Sequence, residues 1–183
     1  RKEMIKLIVA SATYRQSSMT REDLAERDAK NKWLARQNRF RLSAENARDQ
    51  YLAAGGLLDP AIGGPSMVAA SKRRGMYMQI KRAQIDYLLT TFDAPNNTQS
   101  CPKRERSNTP LQALTLMNDK LFVQSAQVLA QRSLRDPADD FGNRIGCMFG
   151  FAVAHPPSHE DVADLAELLQ RVRAAYETDP ERA

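Results

Sequence analysis

The sequence predicts a mostly α-helical domain, an irregular multi-helix fold with long loops and room for one short β element. Three observations carry this. Apolar residues recur at helical spacing in segments near 2–12, 44–54, 110–134, 140–154 and 159–177. Ser, Thr or Asp stands at the start of several of these runs, where a side-chain oxygen caps free N–H groups. The stretches between them are rich in Gly, Pro and Asn, which is turn chemistry.

Taken in order, Met4, Ile5, Ile8, Val9 and Ala12 give the first helix an apolar face. The chain opens on Arg1 directly into this run, which reads as a cut inside a longer chain. Residues 13–18 are polar and predict a loop. Thr20 with Asp23 predicts a capped helix over 21–29. A helical turn over 31–37 carries Trp33, the one tryptophan, expected in the core. Arg39-Phe40-Arg41-Leu42 alternates and predicts a short extended segment. Ser43 caps a helix over 44–54, stopped by Gly55-Gly56. Residues 71–82 predict an extended start that turns into a helix running to Leu89.

Residues 92–108 form a long loop with two prolines and no apolar period. Thr109, Pro110 and Gln112 then form a capping box with proline at the first helical position. Leu111, Leu114 and Met117 are the expected buried stripe. Asn118-Asp119 recaps a second helix over 120–134, with Leu121, Phe122, Ala126 and Leu129 inward. Asp136-Pro137 marks a turn. The helix over 140–154 ends at His155-Pro156-Pro157. Ser158 and Asp161 cap the last helix, whose face is Val162, Leu165, Leu168, Leu169 and Val172.

A chain of 183 residues, 42% hydrophobic and 27% charged, can bury a core without disulfides or metals. The net charge of +5 favours a polyanionic partner. Lys and Arg are nevertheless interleaved with Asp and Glu, so a mixed-charge solvated surface explains most of the excess. Cys101 and Cys147 match no zinc, iron–sulfur or haem spacing and read as free thiols, with one disulfide as the alternative. His155 and His159 are separated by two prolines and cannot share a helix face as metal ligands. No metal site is assigned. No nucleophile elbow or phosphate-binding glycine pattern is present, and no catalytic residue is assigned.

The charged loop Lys103-Arg104-Glu105-Arg106-Ser107-Asn108 feeds a capped helix start. Its arginines can grip a carboxylate, sulfate or phosphate, or can pair internally with Glu105, Asp93 or Asp49. Tyr14 and Arg15, in a polar loop, carry the same two readings. The candidate ligand residues are therefore Tyr14, Arg15, Arg104, Arg106 and Asn108. Asp49, Asp93 and Glu105 are the carboxylates available to an acid/base alternative. Arg48 and Asp49 are adjacent on a helix and are expected to point in different directions. The basic clusters over 72–82 and 103–106 leave nucleic-acid binding as a weaker alternative, without a recognisable binding motif.

Several runs occur in a recognisable order: SATYRQSS at 11–18, RFRLSAE at 39–45, GGPS at 63–66, TFDAP at 91–95 and RERSNTPLQAL at 104–114. On these, the chain resembles the planctomycete-specific C-terminal domain of unknown function found in large proteins with a cytochrome-c-like domain. The resemblance spans about residues 4–172. It implies a single partial domain over 1–183, its N-terminal part missing and its middle shortened after Ser66; the sequence also leaves a C-terminal helical subdomain over 136–183 as an option. It implies an extracytoplasmic setting. It also implies that any haem c lies in a separate upstream domain, with no cofactor in this chain. The expected partners are the rest of the parent chain and an anionic polysaccharide, and no membrane span is expected. The function expected is a non-catalytic binding or scaffolding module; the alternative is a polysaccharide-acting enzyme domain.

Overall fold

The computed structural model describes residues 1–82, 84–135 and 140–178. About 52% of the chain is helical, with eight α-helices and no sheet among the described residues. The chain divides into two compact units, Arg1–Arg41 and Leu42–Ala183.

The first unit holds α1 (Lys2–Ala10) and α2 (Glu22–Ala25). The apolar face of α1 forms as its spacing dictates, but none of its residues is buried. The second helix is a single turn rather than the expected 21–29. Arg21 stands at its N-cap, not Thr20, and Asp23 pairs with Arg21 at 2.7 Å. Residues 31–37 are a polar turn, not a helix. The buried Asp28 carboxylate accepts from the backbone N–H groups of Lys32 and Trp33 at 2.7 and 2.9 Å. Asn31, with φ 50, closes the turn through Arg36 and Asn38. Short polar side chains thus take the hydrogen bonds that a helix would have used. Trp33 is consequently 64% exposed, not in the core. The extended segment expected over 39–42 carries no regular structure.

The second unit is organised around α3 (Ala44–Gly55) and α6 (Lys120–Leu134). Ser43 Oγ caps α3 by accepting from Asn46 N at 3.4 Å. Gly56 ends it in the left-handed conformation, φ 72. The two helices meet closely because Gly55 has no side chain: a Cβ there would lie 2.8 Å from the Ser125 carbonyl. Phe122 is 1% exposed and meets the Tyr51 ring edge-on at 4.6 Å.

Around this pair stand α4 (Tyr87–Thr91), α5 (Pro110–Asn118) and α7 (Phe141–Val153), and α8 (His159–Thr178), which buries none of its residues, follows α7. Ile145 buries α7 as expected, and Ser158 and Asp161 form a reciprocal capping box. The expected turn at Asp136-Pro137 lies outside the described residues. Residues 71–82 do not form a strand that leads into a helix. They hold a 3-10 turn, Gly75–Tyr77, and isolated bridges Asp59↔Arg73 and Met67↔Met78, and α4 begins only at Tyr87. With a third bridge, Lys81↔Gln84, these are all there is of the expected β element among the described residues.

The stripe of α5 also differs. Leu111, Leu114 and Met117 are 60%, 58% and 75% exposed, and Gln112 is the buried residue instead. A polar anchor turns the helix, as described below. On α6 the inward position expected of Ala126 belongs to Ser125, whose hydroxyl is satisfied by Leu121 O at 2.8 Å.

Candidate functional site

The loop over 92–108 has no regular backbone ladder, so its polar groups need other partners. Asp93 supplies them. With φ 61, it sits just past α4 and aims its carboxylate at the far end of the loop. Its oxygens accept from Ser107 N at 2.6 Å, from Ser107 Oγ at 2.8 Å and from Gln112 Nε2 at 3.2 Å. Gln112 also donates to Thr91 O at 3.0 Å and to Ser107 Oγ at 3.0 Å. Thr109 Oγ1 caps α5 by accepting from Gln112 N at 3.3 Å, with Pro110 behind it. The Gln112 amide does not complete the capping box. It is spent on this network, and burying it rotates the leucine stripe outward.

Arg104 binds the same loop to α3. Its Nη1 donates to both Glu45 oxygens at 2.9 Å. Burial pushes the Glu45 carboxyl up. Its own backbone N–H, the Arg104 guanidinium and the Ser43 hydroxyl together pull it further down, and it titrates below an ordinary glutamate. The internal partner of Arg104 is therefore Glu45, not Glu105, Asp93 or Asp49. The Arg104 side chain is still 44% exposed. Lys103, Arg104, Glu105, Arg106 and Ser107 line one open hollow, beside the exposed Asn108.

Asp49 serves a different loop. Both its oxygens accept from Gly75 N at 2.8 Å, and its Oδ1 accepts from Arg48 Nη1 at 3.0 Å. Arg48 and Asp49 do not diverge as their adjacency suggests, because the guanidinium curls back toward its neighbour. Arg48 is fully buried and also donates to the carbonyls of Ala69 at 2.9 Å, Arg73 at 2.9 Å and Ser71. Burial lowers its pKa, partly offset by Asp49 and Asp86. Gly75 is required here, since a Cβ would stand 2.9 Å from Glu45 Cβ.

The predicted site residues therefore separate. Arg104, Glu105, Arg106 and Asn108 share the loop surface, and Asp93 anchors it from beneath. Asp49 belongs to the 67–75 loop. Tyr14 and Arg15 are exposed residues of the first unit, where Tyr14 O accepts from Gln37 Nε2 at 3.3 Å. Cys101 is exposed and Cys147 half-buried, both free thiols. No group of three metal-binding side chains occurs among the described residues.

Sequence reasoning missed one feature. A cleft of about 420 Å³ opens where α3, the 69–72 segment, α4 and α6 meet. Asp86 and Asp119, the caps of α4 and α6, stand on its wall with Lys72, Tyr87, Lys120 and Gln124. The Tyr87 hydroxyl donates to Asp119 Oδ2. Asp119 was legible only as a helix start, and no spacing links it to Lys72 or Tyr87.

These features define an α-helical framework domain in which charged side chains dock long loops onto a central helix. The chain belongs to the family described as PSD1, protein of unknown function (DUF1553), whose model matches residues 1–169. No curated protein and no solved structure matches it.

Proposed function

We propose that this domain is a non-catalytic binding and scaffolding module of a larger extracytoplasmic protein, and that its ligand is an anionic polysaccharide. The observation that carries the reading is the state of the 103–108 loop. It is fastened at Ser107 by Asp93 and at Arg104 by Glu45, while the Lys103 and Arg106 side chains stand at the exposed hollow. A loop fixed before binding loses little entropy on binding, and arginine is well shaped for carboxylates and sulfates. Asp49 and Asp93, two of the three carboxylates of the enzymatic alternative, are engaged with framework donors, which supports a structural role for them over acid/base chemistry; the third, Glu105, is exposed at the hollow. The parent protein and its cytochrome-c-like domain belong to the same proposal and rest on the sequence resemblance.

Calorimetry with neutral, carboxylated and sulfated polysaccharides, at low and physiological salt, tests the proposal. Binding to the acidic polymers that weakens with salt and is lost in Arg106→Ala is the expected result. Absence of binding to every acidic polymer, or binding indifferent to both Arg106→Ala and Lys103→Ala in folded variants, would overturn it.

A further inference from the structure

We infer that the cleft between α3, α4 and α6 is a binding site for a neutral sugar unit, separate from the basic loop. Its volume of about 420 Å³ falls in the range of small-ligand pockets. The chemistry of its wall narrows the class. Lys72 and Lys120 line the same space as Asp86 and Asp119, and the buried Arg48 acts on Asp86 from behind the wall. Both carboxylates already have cations near them and the wall mixes both signs, which favours a neutral ligand over a charged one.

The wall also offers both kinds of hydrogen-bonding group. Asp86 Oδ1 is used by Leu88 N at 2.9 Å, and Oδ2 accepts no hydrogen bond from the described residues. The Lys72 and Lys120 ammonium groups and the Gln124 amide are likewise without protein partners there. A carboxylate oxygen accepts, an ammonium donates and an amide does both. Vicinal sugar hydroxyls, each a donor and an acceptor, match that mixture.

The remaining lining is apolar: Leu52, Leu88 and Leu121, with the Tyr87 ring 62% exposed beside them. A pyranose presents a C–H face suited to such a surface. The hydrogen bond to Asp119, with burial and the nearby carboxylates, pushes the Tyr87 hydroxyl up to about 12. It therefore stays a neutral phenol and adds no charge to the wall.

The test is an amide NMR titration of the folded chain with glucose, galactose, mannose and N-acetylglucosamine. Saturable shifts at Lys72, Asp86, Tyr87, Asp119, Lys120 and Gln124, in the millimolar range, are expected with at least one of them. Gln124→Ala and Lys120→Gln alter exposed side chains and spare the core; each should weaken that binding about tenfold. Arg106→Ala should leave it unchanged, so failure here and failure of the anionic-polymer reading are read separately. The inference is overturned if no hexose gives a saturable response or if the shifts lie outside the cleft. It is equally overturned if glycine or inorganic phosphate binds there and sugars do not, or if neither cleft variant changes the affinity.

Discussion

Two loops of the second unit are fastened to helices without a sheet, and they are fastened differently. The 67–75 loop hangs on Arg48, a guanidinium with no exposed surface that satisfies three backbone carbonyls and Asp49. The 92–108 loop hangs on two lighter fastenings, the half-buried Asp93–Ser107–Gln112 network and the half-exposed Arg104–Glu45 pair. The comparison predicts that burial, more than charge, sets the strength of a fastening. A buried cation cannot fall back on water when its partners leave, whereas an exposed one can. The lightly held loop is also the one whose charged side chains line an open hollow.

Arg48→Ala should break the comparison most severely. It leaves Asp49 and the carbonyls of Ala69, Ser71 and Arg73 without their donor, at a cost of about 3–5 kcal/mol in urea unfolding. Arg48→Lys should recover only part of this, because an ammonium cannot reproduce the fork. A loss under about 1 kcal/mol would mean that the loop is held by something else.

Gln112→Leu comes next. It removes the donor to Thr91 O and Asp93, and about 1–3 kcal/mol should be lost. Hydrogen exchange should show faster opening at Ser107, whose N–H is held by Asp93, and no change at Gly75. Equal loosening of both loops would show that they form one cooperative unit rather than two.

The smallest effect belongs to Arg104→Ala, about 1 kcal/mol or less and smaller still in high salt. Its signature is in pH. The folded-state pKa of Glu45 is depressed, so the pair's contribution is fully present above the unfolded glutamate pKa of about 4.3 and is lost as pH falls through the folded value. Comparing the acid limbs of wild-type and Arg104→Ala stability curves should show a shallower wild-type-minus-variant difference at low pH. A difference that persists unchanged in acid would show that Arg104 acts by packing its stem.

The helices were largely legible in the sequence and the loops were not. Ser43, Thr109, Asp119 and Ser158 mark helix starts because a cap is a local bond between neighbours three or so residues apart. The α5 stripe misled because helical spacing shows that a face exists, not which way it turns. The deeply placed Gln112, bonded to residues about twenty positions away, decided that. Trp33 misled for a similar reason: apolarity predicted the core, while Asp28 and Asn31 built a polar turn that projects it outward. Of the candidate site, the basic loop was visible as composition, but the Arg104–Glu45 pair spans 59 positions and left no trace in local pattern.

The sequence by itself determined that the chain is mostly helical, where most of the helices of the second unit begin, and which charged residues were available. Those are consequences of short-range hydrogen bonding and of apolar spacing along one segment. Tertiary structure alone decided which charges became fastenings and which remained at the surface. Asp49 and Asp93 went to Gly75 and Ser107, and Asp86, Lys72 and Lys120 came to face one cleft. Those choices depend on which segments meet across long separations, where each polar group takes whatever partner desolvation leaves within reach.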